Sequence, residues 1–329
     1  MIEPVGKAAF DRKLEALDAV RADPASASTG VQLRKALEGR NNYLAAKAAR
    51  LAAELERKDL IGDLVSAFGH FLTDPVKTDP QCWAKTAIVK ALKALEHDAP
   101  EVFLHGIGYV QREPAFGGSE DSAATLRGEC AFGLIRCRSI PAHQVLARLV
   151  DLLTDEAKAP RIDAARALAA YGSPHSVLVL RLKIRMGDAD PEVTGACLAA
   201  MMALDPEEGV PLAAQLLDGR DDDLRHEAAA ALGESPDPAA FAALRHAWER
   251  TRDPEFRQTL LISIGSSRQP QAVDFLLSLI NAADLTNAAQ AVRALAPNRF
   301  SSAVRERVAH AVEGTRSERL AAVFKAEFT

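Results

Sequence analysis

Aromatic residues are scarce in this chain, and long apolar runs are missing. Phe, Trp and Tyr make up only 5% of the 329 residues although hydrophobic residues reach 48%, and alanine and leucine supply most of the difference. That mixture favours closely packed helices, because alanine loses no side-chain entropy in a helix and lets a neighbouring backbone approach. No stretch approaches the roughly 18 apolar residues that cross a membrane, and the N-terminal segment has no apolar core of signal-peptide length. We therefore expect a cytoplasmic protein without a membrane partner.

Cysteine is rare and positive charge is not in excess. The four cysteines, Cys82, Cys130, Cys137 and Cys197, form no CxxC pair, and no histidine cluster completes a zinc pattern. We expect reduced cysteines packed between helices and no metal site. Lys and Arg total 40 against 45 Asp and Glu, a formal net charge of -5, which disfavours a globally basic nucleic-acid binder but not a local basic face. No spacing typical of a catalytic triad, a phosphate loop or a carboxylate pair occurs, so we predict no catalytic residues and no cofactor.

The chain does contain an eight-residue pattern that returns seven times. The windows begin 31 to 42 residues apart and read KTAIVKAL from Lys85, RGECAFGL from Arg127, RIDAARAL from Arg161, TGACLAAM from Thr194, RHEAAAAL from Arg225, RQTLLISI from Arg257 and AAQAVRAL from Ala288. A fixed period in this range is typical of a solenoid, in which each unit buries its apolar face against its neighbours. We predict an all-α, right-handed α-solenoid of about eight to nine helix pairs with no β-sheet.

Turn signals place each window in the second helix of a pair. In DADPEV at 188–193 and RDPEFR at 252–257, proline follows an aspartate that can cap the next helix. We expect the basic residue at position one to bridge to the turn aspartate, as in Asp253 with Arg257 or Asp222 with Arg225. The predicted organisation is N-terminal capping helices over 1–40, repeats over 41–297 and a C-terminal capping pair over 298–329.

One segment interrupts the period and lengthens the first step. Residues 113–123, EPAFGGSEDSA, contain a proline, a glycine pair and acidic residues, which predict an exposed loop insertion that is mobile and readily cleaved. Its Phe116 is a candidate contact for a partner.

With these windows in view, the chain resembles the HEAT-repeat family, in particular the bacterial short repeats of the phycobilin-lyase-like type. The resemblance runs over about residues 42–329 and is strongest over 160–295. It implies a helical-repeat architecture. The family includes scaffolds, transport receptors, bilin lyase subunits, a di-iron hydroxylase and DNA glycosylases, so the resemblance does not choose among these functions.

Two features invite functional interpretations that we weigh against structural ones. His226-Glu227 in RHEAAAALGE is similar to the His-Glu motif of the di-iron hydroxylase branch, but it occurs once, and two irons need ligands from several repeats. An exposed helix histidine is the simpler interpretation. Trp83 and Trp248 could frame a base in a glycosylase, yet no aspartate clearly pairs with either. We expect both to pack at helix contacts with the indole N–H hydrogen-bonded.

Position six of each window points away from the paired helix and from neighbouring units. We call these residues the position-six row: Arg50 from a weaker first unit, then Lys90, Phe132, Arg166, Ala199, Ala230, Ile262 and Arg293. Second helices line the concave side of HEAT-like solenoids, so the row should follow the groove. With Lys93 and Arg136 on the same faces, the N-terminal half should be basic and solvated, although Glu54, Glu129 and Asp163 dilute its charge. The middle of the row is apolar.

The leading hypothesis is a non-catalytic scaffold or adaptor that binds a protein partner in this groove, with an acidic segment of the partner facing the N-terminal half. Two alternatives stay open. One is a nucleic-acid-binding protein related to the HEAT-like DNA glycosylases, and the other is a bilin-lyase-like or other cofactor-handling subunit.

Overall fold

A computed structural model describes residues 5–24, 26–267, 269–282 and 284–328, with side chains from residue 10 onward. The ends of the two predicted capping segments, residues 1–4 and 329, lie outside the described residues. The described chain is mostly helical and divides into two compact units, one ending at Tyr171 and the other beginning at Gly172.

The first unit contains ten helices and one pair of strands among its described residues. They are α1 Val5–Ala19, α2 Ala27–Leu37, α3 Asn42–Glu54, α4 Ile61–His70, α5 Pro75–Thr78, α6 Trp83–Ala94, α7 Glu101–Gly106, β1 Arg112–Ala115, β2 Gly118–Asp121, α8 Ala124–Leu134, α9 Ala142–Leu152 and α10 Lys158–Tyr171. Single 3-10 turns follow α1 and precede α4 and α6.

The second unit is more regular. Its helices are α11 Pro174–Met186, α12 Pro191–Leu204, α13 Pro206–Leu217, α14 Asp222–Glu234, α15 Pro238–Arg250, α16 Pro254–Ser266, α17 Pro270–Ile280, α18 Leu285–Leu295, α19 Ser302–Thr315 and α20 Glu318–Phe328. Aspartates cap many of these helices: Asp205, Asp221, Asp237, Asp253 and Asp284 each accept a hydrogen bond from a backbone N–H in the first turn. Pro at the first helical position often follows, where its missing N–H costs nothing.

Neighbouring helices form nine pairs within the described chain, which confirms the predicted number of about eight to nine. The pairs are α2 with α3, α4 with α6, α7 with α8 and α9 with α10 in the first unit, and α11 with α12, α13 with α14, α15 with α16, α17 with α18 and α19 with α20 in the second. Second helices also pack on second helices of the next pair, as α3 does on α6 and α12 on α14. Positions four, five and eight of the windows supply this core, as Ala228, Ala229 and Leu232 in α14 illustrate with no exposed surface.

Position one of the window has a recurring role that differs from the predicted bridge. Its basic side chain donates to carbonyl oxygens at the end of the first helix of the pair, where backbone acceptors lack helical partners and the helix dipole is negative. Nζ of Lys85 lies 3.1 Å from O of Phe71, Nε of Arg225 lies 3.2 Å from O of Leu217, and Nη1 of Arg257 lies 3.1 Å from O of Thr251.

The predicted aspartate bridge is correct in one example and wrong in the other. Arg225 also pairs with Asp222, Nη1 to Oδ1, at 2.7 Å. Asp253 instead accepts a hydrogen bond from N of Glu255 as a helix cap, and Arg257 stacks on the indole of Trp248, 3.9 Å from its centroid. Asp253 is hydrogen-bonded to the start of α16, and Arg257 is hydrogen-bonded to the end of α15. These contacts take the place of a bridge between the two side chains.

The predicted loop at 113–123 is a β-hairpin, and the expectation of no β-sheet is therefore wrong. Strands β1 and β2 pair antiparallel, with Arg112 opposite Asp121 and Ala115 opposite Gly118. Phe116 and Gly117 make the two-residue turn, and Gly117 has φ +87°, which glycine adopts without steric cost. The strands are polar, so no apolar alternation marks them in the sequence.

A buried carboxylate at the base of the hairpin holds several of its neighbours by hydrogen bonds. Oε1 of Glu113 accepts hydrogen bonds from N of Gln81 at 2.6 Å, Nε2 of Gln111 at 2.7 Å and Oγ of Ser122 at 2.5 Å. Burial raises the pKa of Glu113, but the hydrogen bonds from Ser122, Gln111 and Gln81 outweigh it and hold the pKa below its usual value. The carboxylate therefore joins the hairpin to the start of α6.

Beside it lies a fully buried ion pair. Nζ of Lys85 and Oδ2 of Asp79 are 3.0 Å apart, and both side chains have no exposed surface. Asp79 also accepts hydrogen bonds from N of Ala84 at 2.8 Å and N of Lys85 at 3.0 Å, so it caps α6 as well as neutralising the lysine. These contacts stabilise the least regular part of the first unit.

Candidate partner-binding surfaces

The position-six row lies largely at the surface. Six of its members are exposed, namely Arg50, Lys90, Arg166, Ala230, Ile262 and Arg293, and Phe132 and Ala199 are half-buried. The flanking window positions are buried because they contact the paired helix and the neighbouring second helices. This placement leaves position six available for a partner in each unit, and a binding role for it stays a prediction.

In the first unit the basic members of the row have acidic neighbours. Lys90 and Lys93 both lie beside Glu129, with Nζ of Lys90 3.5 Å from Oε1, and Nη1 of Arg166 lies 3.8 Å from Oδ1 of Asp163. Glu129 is position three of the window that follows that of Lys90, whereas Asp163 is position three of the same window as Arg166. Arg50 makes no ion pair within the described ranges.

The carboxylate of Asp163 behaves differently from that of Glu113. Burial raises the pKa of Asp163, and the lowering effect of Arg166 does not offset this. Asp163 packs where a side chain at Gly128 would stand, since an added Cβ there would lie 2.0 Å from Oδ2. Glycine at position two of one window thus makes room for an acidic position three of the next.

Lys93, Arg136 and Phe132 lie close together in the first unit. Nζ of Lys93 lies 5.4 Å from the ring centroid of Phe132, and Nη1 of Arg136 donates to O of Lys93 at 3.3 Å. Both basic residues line a pocket of about 340 Å³ that also contains Glu96 and Asp98. The mixed charge of this lining fits a polar segment of a protein better than a run of phosphates.

In the second unit the row is apolar as far as Ile262. Ile262 is 49% exposed, Ala230 is exposed and Ala199 lines a pocket of about 180 Å³ between α12 and α14. Met202 and Ala231 also line this pocket. Its volume is below the roughly 300–1,000 Å³ typical of small-molecule sites. It has the size and polarity to take a single apolar side chain.

Arg293 continues the row at the C-terminal end of the second unit. Its Nε lies 3.8 Å from Oε1 of Glu327 on α20, and both side chains stay about half exposed. The charge of Arg293 is thus partly neutralised, as it is for the basic residues of the first unit.

Phe116 stands at the tip of the hairpin with its side chain fully in solvent. It is the most exposed large apolar residue among those the structure describes. The hydrogen bonds to Glu113 order the base of the hairpin, so Phe116 is presented by an ordered element. A contact role for Phe116 stays a prediction.

His226 occupies a structural position. Its Nδ1 lies 2.8 Å from Oγ1 of Thr259, and its ring lies 5.5 Å from that of Phe256, centroid to centroid. Glu227 packs against Gly195, at which a Cβ would lie 2.4 Å from Oε2. Within the described ranges no three His, Cys, Asp or Glu side chains are arranged to hold a metal ion.

The two tryptophans depart from expectation. Trp83 is 54% exposed rather than packed at a helix contact, since it begins α6 at the surface. Trp248 is buried, with Arg257 stacked on the face of its ring, but its Nε1 has no hydrogen-bond partner among the described residues. The four cysteines are free and buried, as predicted, and burial raises the pKa of the Cys82 thiol to about 11.

Sequence reasoning missed two surface features. On α11, Leu178, Leu182 and Met186 are 67%, 62% and 75% exposed and lie on one face, four residues apart. Near the N-terminus, α1, α2 and α3 enclose a pocket of about 780 Å³. The spacing of the α11 residues is readable in the sequence, but core-facing and solvent-facing apolar stripes look alike there.

The stacked helix pairs make each unit an α-solenoid. The family model described as HEAT repeats matches residues 146–232, 178–265 and 209–296. Residues 146–296 are therefore HEAT repeats, as the windows in this part of the chain indicated. No curated protein sequence gives a significant match.

Several solved structures are similar to the chain at low sequence identity. Human deoxyhypusine hydroxylase in complex with glycerol is 19% identical, covers 80% of this chain and 91% of its own, and has a TM-score of 0.29. The complex of CpcE and CpcF of phycocyanin lyase from Nostoc sp. is 16% identical, covers 86% and 93%, and has a TM-score of 0.36. An engineered protein is 19% identical, covers 85% and 81%, and has a TM-score of 0.35. These similarities say nothing about what this chain binds.

Among the described helices, none combines the length and the apolar character that crossing a membrane requires.

Proposed function

We propose that this chain is a non-catalytic scaffold or adaptor that binds a protein partner along the position-six row. The observation that supports it most is the apolar part of the row in the second unit. Ile262 and Ala230 are exposed where a solvated helix face would carry polar residues, and a pocket for one apolar side chain opens beside Ala199.

The first unit contributes a polar contact under this proposal. Arg50, Lys90 and Arg166 recur at one helical phase on the second helices α3, α6 and α10. Their three positive charges have two acidic neighbours, Glu129 and Asp163. An acidic segment of the partner fits these residues. The alternative of a nucleic-acid binder is weaker, because Glu129 and Asp163 would meet phosphates at close range.

The apolar contact is tested with peptides selected from a random library displayed on phage. Peptides selected on the wild-type protein should carry an apolar anchor, and Ala230→Asp with Ile262→Asp should raise their Kd at least about tenfold, since a buried carboxylate would replace apolar contact. Leu285→Asp with Phe300→Asp is the matched control, because both residues are exposed apolar residues of the same unit outside the row. Equal loss in the two double variants, or no loss, would contradict the proposal.

The polar contact is tested separately by Arg50→Glu, Lys90→Glu and Arg166→Glu together. Capture of acidic peptides should weaken, mainly through slower association, while the helical signal in circular dichroism stays unchanged. A steep linear fall of log affinity with log salt for single-stranded DNA, with no peptide binding, would favour the nucleic-acid alternative instead.

A further inference from the structure

The pocket near the N-terminus differs in charge and size from the position-six row. We call it the N-terminal pocket; it lies within the first unit, has a volume of about 780 Å³ and is lined by residues of α1, α2, the turn after α2 and α3. The volume falls in the range of small-molecule sites, roughly 300–1,000 Å³.

Its charged lining residues are all basic. Lys13 comes from α1, Lys35 from α2 and Arg40 from the turn before α3, and Arg12 lines the pocket as well. Among the described residues, Lys13, Lys35 and Arg40 make no ion pair. Three like charges around one concavity repel one another, so an anion that enters lowers the energy of all of them.

Neighbouring basic residues that face elsewhere do have acidic partners. Arg34, adjacent to Lys35 in sequence, lies 3.1 Å from both Asp59 and Asp63, and Lys47 lies 2.6 Å from Asp18. Asp18, Asp59 and Asp63 are thus engaged with other basic side chains, and no acidic side chain lines the described part of the pocket. Lys13, Lys35 and Arg40 therefore face the pocket without a carboxylate beside them.

The rest of the lining is apolar except for Gln32, Asn41 and the backbone at Gly39. Leu17 and Leu44 are buried at the pocket, and Ala16 and Ala36 complete an apolar wall. Oε1 of Gln32 is buried and has no hydrogen-bond partner within the described ranges. A buried amide oxygen without a partner costs about 1–3 kcal/mol, and a ligand hydroxyl or ring N–H would remove that cost.

We propose that the N-terminal pocket binds a small phosphorylated molecule with an apolar body and a hydrogen-bond donor, for which a nucleoside diphosphate is a fitting probe. The phosphates contact Lys13, Lys35 and Arg40, the apolar body lies against Leu17 and Leu44, and the donor faces Oε1 of Gln32. This binding function is independent of partner binding along the position-six row.

Calorimetric titration of the full chain tests this with ADP, inorganic pyrophosphate and adenosine as probes. ADP should bind with 1:1 stoichiometry, and more tightly than either pyrophosphate or adenosine, because only ADP uses both the basic side chains and the apolar wall. Its affinity should fall as salt rises. Lys35→Glu with Arg40→Glu should raise the Kd for ADP at least about tenfold, the effect of losing one strong charged contact.

Two controls distinguish the pocket from general charge. Arg220→Glu with Arg305→Glu changes the net charge equally at exposed arginines of the second unit and should leave the Kd for ADP unchanged. Lys35→Gln with Arg40→Gln repeats the test without introducing negative charge. Absence of ADP binding at millimolar concentration, equal losses in the two charge-reversed variants, pyrophosphate binding as tight as that of ADP, or equally tight binding of hexaglutamate would each overturn the proposal.

Discussion

The two units differ in the contacts that form the joints between their helices. In the second unit, short-range signals set the joints: aspartate caps and a following proline begin helices, as at Asp237 and Asp253. Between residues 71 and 123 of the first unit, buried polar contacts set the joints instead. They are the ion pair of Asp79 with Lys85 and the hydrogen bonds to Glu113.

The difference also concerns the position-six row. Lys90 and Arg166 in the first unit lie beside carboxylates, while the members of the row in the second unit are mostly apolar. The comparison teaches that one repeat pattern fixes where helices pack, whereas the residues left free of packing decide what each unit can contact. Four measurements sharpen this comparison, in order of the effect expected.

The largest effect should come from position one, where Lys85 of the first unit is fully buried and Arg225 of the second unit is partly exposed. Lys85→Met leaves Asp79 as a buried, unpaired charge and should lower the free energy of unfolding by about 3–5 kcal/mol. Arg225→Met removes a helix-end contact and an ion pair whose aspartate is exposed, so it should cost only about 1 kcal/mol. Urea unfolding followed by circular dichroism measures both, and equal losses would mean that burial of Lys85 is not what matters.

A close backbone contact in the second unit comes next. A Cβ at Gly265 would lie 1.9 Å from the carbonyl oxygen of Ala294, so Gly265→Ala must push α16 from α18 and should cost about 3 kcal/mol. Gly69→Ala in α4 is the control, because nothing lies within 4 Å of the added Cβ. There the better helix propensity of alanine should raise stability by up to about 1 kcal/mol. Thermal unfolding of the two variants checks the opposite signs.

The third measurement concerns the pH dependence contributed by the hairpin. The folded-state pKa of Glu113 lies below its unfolded value of 4.5, so this group contributes stability above pH 4.5 that is lost as pH falls through the folded pKa. Glu113→Gln should therefore cost about 2 kcal/mol at pH 7 and progressively less in acid. Urea midpoints of both proteins from pH 7 to pH 3 should converge; a constant difference would indicate that the charge of Glu113 is not involved.

The smallest effects on stability should come from the row itself. Arg50→Glu, Lys90→Glu and Arg166→Glu should each change the free energy of unfolding by no more than about 0.5 kcal/mol, because all three side chains are exposed. Equilibrium unfolding of the single variants checks this. A larger loss at Arg50, which has no ion pair in the described part of the chain, would mean that the row is structural.

Much of the fold could be predicted because the period and the turn signals are local. The prolines of the turn signals DADPEV and RDPEFR begin α12 and α16, at Pro191 and Pro254, as these signals indicate. The hairpin could not be predicted, since its strands are polar and depend on Glu113 meeting Gln81, 32 residues away. Position six was placed at the surface by helical phase alone. The carboxylate beside Lys90 came from another repeat, and the N-terminal pocket needs the mutual placement of three helices.

The buried carboxylate at the root of the hairpin also separates the tip from the rest of the molecule. Glu113 holds residues 81, 111 and 122 together by hydrogen bonds. The packing of the helices therefore does not depend on the exposed turn at Phe116 and Gly117. Foreign peptides or fluorescent tags grafted between these two residues should leave the repeats intact. The hairpin tip is thus a position at which the chain can be lengthened, and can gain a new binding segment, without changing how the helix pairs stack.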